Sequence, residues 1–205
     1  MTERLAKVLS LIFHPLWMPL IIYLLVRWLD PYYIGQTQAD NFVILLLLVN
    51  IVAPALSMLI MIKYGMLSSI ELRDRKERFG PYLLVIFYYI LSYTMLKWQG
   101  PILPQEVFSF FVSVILSLIV SLSINMIWKI SVHLLAQGGV FGTLLALNSL
   151  HKSDINVFLM ISALAAGLTA YSRLKLHAHT HGQVYAGFIL GVVMNWVIIS
   201  MKISF

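Results

Sequence analysis

The sequence contains no cysteine, so disulfides, thiolate metal sites and cysteine nucleophiles are excluded. It is also short of charge: 11% of its 205 residues are Asp, Glu, Lys or Arg, against about 25% in soluble domains. Carboxylates are the rarer sign, 8 against 14 cations, for a formal net charge of +6. The cations are few and scattered among apolar stretches, a pattern that fits anionic lipid headgroups or a phosphate ligand rather than nucleic acid. Acidic residues inside those stretches, which a metal-ion transporter would need, are almost missing.

Hydrophobic sequence takes their place. Apolar residues make up 60% of the chain, and mean hydropathy is +0.90. Seven stretches, roughly 8–29, 41–62, 79–97, 107–128, 133–151, 155–172 and 183–201, have the length of about 20 residues that a bilayer crossing requires. Helices satisfy their own backbone hydrogen bonds in lipid, and no strand-like alternation suggests a barrel. The predicted fold is therefore all-α, a polytopic transmembrane helix bundle of six to seven spans forming one integral membrane domain over 1–205. The N-terminal MTERLAKVLSLIFHPLWMPL opens like a signal peptide but lacks a small-x-small cleavage site. His14, Pro15 and Pro19 interrupt its apolar run, so it reads as a retained span or re-entrant element, kinked near His14 and able to reach a pocket there. Short connections favour antiparallel neighbours, and Gly187 and Gly191 have the GxxxG spacing of closely packed membrane helices.

Three polar segments interrupt this pattern: ELRDRKERFGP (71–81), WKISVH (128–133) and SRLKLHAHTHGQVYAG (172–187). Two spans separate the first from the second, and two more separate the second from the third. An even number of crossings returns the chain to the same face, so all three can meet at one membrane surface. Together they supply guanidinium groups, lysines, imidazoles and hydroxyls, with carboxylates only in the first. Guanidinium binds phosphate oxygens bidentately and lysine adds a point charge. One histidine can attack phosphorus while another protonates a leaving oxygen.

These residues also carry a resemblance. Ser172-Arg173, five residues, His179, three residues and Gln183-Val-x-Ala-Gly resembles the third motif, SRxxxxxHxxxD, of the type 2 phosphatidic acid phosphatases, in the HTxxQV version that membrane branches of the family carry. Ile130-Ser131-Val132-His133 is similar to the second motif, PSGH, keeping its serine and histidine, and Arg73–Pro81 to a variant of the first, KxxxxxxRP. The resemblance covers roughly 71–191. It implies His179 as the nucleophile of a phosphohistidine intermediate and His133 as general acid to the leaving group. Arg173 and Ser131 would bind the phosphoryl oxygens, and Gln183 stands where a carboxylate orients the nucleophile. For the first motif it offers Arg78, then Arg75 one helical turn away, with Lys76 and Lys129 behind them. Ile130 and Val132 replace Pro and Gly, so the tight turn of the second motif becomes a helix start. The implied activity is metal-independent, cofactor-free hydrolysis of a phosphomonoester or diphosphate of a membrane lipid, at a bacterial inner membrane. The alternative is a non-catalytic relative that binds or carries anionic lipid.

Plainer readings stand beside these. His133 also reads as a buried histidine bonded across helices, Arg173 and Lys175 as snorkelling cations, and the 73–78 cluster as an anchor beside anionic lipid. His177, His179 and His181 would share a side, and so chelate a metal, only if extended; on a helix they diverge. Counting crossings puts Arg4, Lys7, Lys63 and the cations of the polar segments on one face, against Arg27, Lys97, Lys152 and Lys202 on the other. The positive-inside rule makes the first face cytoplasmic, although a phosphate site gathers cations on whichever side it lies.

Overall fold

The computed structural model describes residues 2–29, 36–72, 74–98, 103–151 and 155–205, and every regular element among them is helical. Arg73 and Lys152 lie outside the described residues. Among the described residues, six helical stretches are long and apolar enough to cross a membrane: Glu3–Leu25, Asn41–Lys63, Lys76–Trp98, Gln105–Ile127, Asn156–Lys175 and His181–Ser200. This is the make-up of an integral membrane protein.

The first stretch is broken. Helix α1 (Glu3–Ile12) ends at Phe13, and Pro15 opens a 3-10 turn (Pro15–Trp17) that leads into α2 (Met18–Leu29). A proline suits a first helical turn but lacks the N–H that would carry α1 through, so the kink expected at His14 is a full break. Next, α3 (Gln36–Leu45) widens into a π-helical stretch, Leu46–Val52, before α4 (Ala53–Lys63). The widened turn sends Asn50 inward, where its amide donates to Ser92 Oγ at 2.8 Å. Helices α5 (Phe79–Trp98), α6 (Gln105–Ile127), α7 (Val132–His151), α8 (Asn156–Lys175) and α9 (His181–Ser200) follow.

Helix α7 separates the two ends of the expected range of six to seven spans. It is 20 residues long, the length of a span, yet it is not among the six apolar stretches. His133, Gln137 and Asn148 lower its hydropathy. It tolerates them because no residue from 132 to 148 is exposed: α2, α6, α8 and α9 pack around it, so protein rather than lipid is its solvent.

Its tightest neighbour is α9. A Cβ on Gly138 or Gly142 would lie 2.1 or 2.4 Å from the carbonyl oxygens of Phe188 and Val192. On Gly187 or Gly191 it would lie 2.5 or 2.1 Å from those of Ser131 and Leu135. Backbone cannot yield as a side-chain tip can, so two interlocked glycine pairs set the helix separation. The two N-termini then come together, with the Ser131 N–H donating to the Gln183 carbonyl at 3.3 Å.

Candidate active site

A cavity of about 180 Å³ lies at the end of the bundle where α5, α7 and α9 begin and α8 finishes. His14, Glu71, Arg78, His133, Arg173 and His179 line its polar end, and residues such as Met18, Ile22, Val85, Tyr89, Phe110 and Val140 line its depth. All three polar segments and the break after α1 therefore converge on one space.

Arg78 closes the 3-10 turn Lys76–Arg78 ahead of α5 and is 5% exposed. Its Nε donates to the Leu72 carbonyl at 2.9 Å and its Nη1 to the Ile130 carbonyl at 3.0 Å. Leu72 has φ +46°, a left-handed conformation that leucine rarely adopts and that clusters at functional sites. Arg173, in the last turn of α8, donates from Nη1 to Ser10 Oγ at 2.7 Å, while its Nε is buried without a partner. The two guanidinium groups are electrostatic neighbours, and the rim residue Glu71 is the carboxylate that acts on Arg173. Two like charges held at one partly buried cavity are an arrangement that an anion relieves.

His133 is the second residue of α7, the helix start expected in place of a tight turn. Its Nε2 lies 3.4 Å from Ser10 Oγ. Because Ser10 accepts from Arg173, its hydroxyl hydrogen is available to that nitrogen, which leaves the ring proton on Nδ1. The His14 ring meets the His133 ring edge-on, centroids 5.2 Å apart.

His179 sits between α8 and α9 and is 8% exposed. The turn before it is a Schellman motif: His177 has φ +49°, its N–H donates to the Leu174 carbonyl, and the Ala178 N–H donates to that of Arg173, both at 3.0 Å. After it, Thr180 and Gln183 form a capping box at the start of α9. Gln183 Oε1 accepts the Thr180 N–H at 3.2 Å and the His179 Nδ1–H at 3.1 Å. An amide oxygen only accepts, so the lone pair of His179 is on Nε2. Burial above all, then Arg78 and Arg173, pulls the His179 pKa down to about 3 against the opposing Gln183 bond, with Lys129 adding to the pull. The ring is neutral at ordinary pH.

Five of the expected site residues stand elsewhere. Ser131 is fully buried, its Oγ has no partner, and it is not among the cavity-lining side chains. Arg75 and Arg78 do face one segment, but Arg75 donates to the Met126 carbonyl at 2.8 Å and only Arg78 lines the cavity. Lys76 is exposed, and Lys129 acts on His179 through its charge without lining the space. Gln183 stands behind His179 rather than in the cavity. His177 and His181 are exposed while His179 is buried, so the three do not converge. No group of three His, Asp or Glu among the described residues is placed to hold a metal. Ser10 escaped the sequence reading; its signal was polar side chains at 10 and 14, one helical turn apart in an apolar run.

No family model, no curated protein and no solved structure matches the chain.

Proposed function

We propose that this protein is a phosphatase of membrane-lipid phosphates at a bacterial inner membrane, resembling the type 2 phosphatidic acid phosphatases. One observation carries the reading: a single cavity with Arg78, Arg173, His133 and His179 at its mouth and apolar side chains in its depth. The headgroup meets the guanidinium groups while the tail lies against Ile22, Val85, Tyr89 and Val140. His179 Nε2 attacks phosphorus, forming a P–N bond as the P–O bond to the lipid breaks. The headgroup, binding as its monoanion, passes its proton to His133 Nε2 in exchange for the long Ser10 contact, and His133 hands that proton to the leaving oxygen. Water then attacks the phosphohistidine and gives a proton to His133, which returns it to the departing inorganic phosphate. One P–O bond and one water are consumed, and both histidines return to their starting states.

A second reading has Gln183 in its favour. The amide holds the tautomer of His179 but cannot stabilise a developing positive charge, and the comparable Asp→Asn change in serine proteases loses about four orders of magnitude. A non-catalytic binder of anionic lipid needs only the arginines. Detergent-purified protein incubated with phosphatidic acid, phosphatidylglycerol phosphate and a polyprenyl diphosphate separates the two. Phosphate release by wild type but not by His179→Ala supports hydrolysis. Binding by both without release supports the binder, and neither binding nor release sinks both readings.

A further inference from the structure

Ser10 and His14 belong to none of the three polar segments, yet both reach the site. Resting on the lipid-phosphate reading, we infer that His14 and Arg173 form a second phosphoryl subsite, which makes the substrate a lipid diphosphate in preference to a lipid phosphomonoester.

The break after α1 turns a histidine toward the cavity. His14 is the N-cap of the 3-10 turn, and its Nδ1 accepts the Leu16 N–H at 3.3 Å. That nitrogen must therefore be the unprotonated one, so the ring proton is on Nε2. The cap makes His14 a fixed hydrogen-bond donor on a ring that lines the cavity.

Position follows from its neighbours. His14 packs edge-on against His133, and its charged neighbour is Arg173. Arg173 is a neighbour of His14, His133 and His179 alike, His133 has both His14 and His179 as neighbours, and Arg78 acts on His179 and Arg173. The polar end thus runs as two halves that share Arg173 and His133, with Arg78 and His179 on one side and His14 on the other.

Chemistry assigns the second half. In a phosphomonoester the leaving atom is an alkoxy oxygen, which takes one proton from His133, and the carbon beyond it offers nothing to another donor. In a diphosphate the leaving group is itself a phosphate, with two more oxygens next to the one that His133 protonates. A fixed imidazole N–H and the unpartnered Nε–H of Arg173 are the donors such a group takes.

Farnesyl diphosphate and farnesyl phosphate share a tail and differ only in the headgroup, so they test this directly. His14→Asn keeps a good N-cap acceptor for Leu16 while shortening the donor's reach. Wild type is expected to prefer the diphosphate, and the variant to lower the diphosphate-to-monophosphate ratio of kcat/KM by about ten-fold or more, the loss of one strong hydrogen bond. An unchanged ratio, whether or not both activities fall, reduces His14 to a helix cap and overturns the inference, as does a wild-type preference for the monophosphate. Should wild type release phosphate from neither, the phosphatase reading fails by itself. The subsite is then judged by affinity for inorganic pyrophosphate against inorganic phosphate: a preference lost in His14→Asn supports it, and equal affinities overturn it.

Discussion

The two ends of the bundle handle charge in opposite ways. Where α6 begins, Glu106 is 8% exposed and meets Lys202 Nζ at 2.7 Å and His151 Nε2 at 3.8 Å. There Gln105 also donates to the Lys202 carbonyl at 2.8 Å, and the Lys97 ammonium lies over the Tyr93 and Phe108 rings. At the cavity end, Arg78 and Arg173 sit as neighbours, bonded to carbonyl and hydroxyl oxygens, with Glu71 exposed at the rim. The first arrangement satisfies itself and fastens the C-terminal turn. The second keeps positive charge in hand beside an apolar space. A buried charge that finds its opposite is structure, and an excess of one sign around a cavity is a place for a ligand.

Mutating each end in turn gives the largest contrast. Arg173→Gln is expected to weaken phosphate-lipid binding or turnover by about 100-fold or more, as loss of a buried charged partner does. The melting temperature holds or rises, because a like-charged neighbour of Arg78 has gone. An Arg173→Gln protein that binds normally would end the case for an anion site. Next, Gly191→Ala drives a Cβ to 2.1 Å from the Leu135 carbonyl oxygen. It should destabilise the protein by about 1–3 kcal/mol, the usual effect of overpacking, and reduce activity by shifting His133 away from His179. Thermal melting and phosphate release read the two effects separately.

At the far end the signs reverse. Glu106→Gln should leave phosphate binding intact and lower stability by about 1–2 kcal/mol, below the ~3–5 of a fully buried pair because Lys202 is half-exposed. A smaller effect depends on pH. The folded pKa of His179 is about 3 against an ordinary 6.5, so between those values the unfolded chain binds a proton that the folded chain refuses. Its contribution to stability is full above pH 6.5 and is lost as pH falls toward 3. Wild type should therefore lose melting temperature more steeply than His179→Gln across that window. Smallest of all, His177→Gly relieves the left-handed residue of the Schellman turn and should add a few tenths to about 1 kcal/mol.

Much of the molecule is legible in its sequence. Apolar runs long enough for a bilayer must become helices, because lipid offers the backbone no other partner. Crossing parity is a count, and it brought the segments containing Arg78, His133 and His179 to one end without knowledge of packing. The spacing Thr180-x-x-Gln183 was visible as part of a motif, but it is also the signature of a capping box, and one amide oxygen serves both purposes. Ser131 and Lys129 looked as eligible as Arg173, because a sequence lists side chains near a motif without saying which of them reach the cavity.

Hydrophobic pattern, helix starts and the number of crossings are local properties, and the sequence alone determined them. The tertiary structure decided that α7 is wrapped in protein, that Ser10 and His14 join the site, and that Ser131 leaves it. The reason is distance along the chain. Those outcomes depend on glycine faces of α7 and α9 meeting backbone to backbone, and on α1 reaching Arg173 across 163 positions, contacts that no local pattern encodes.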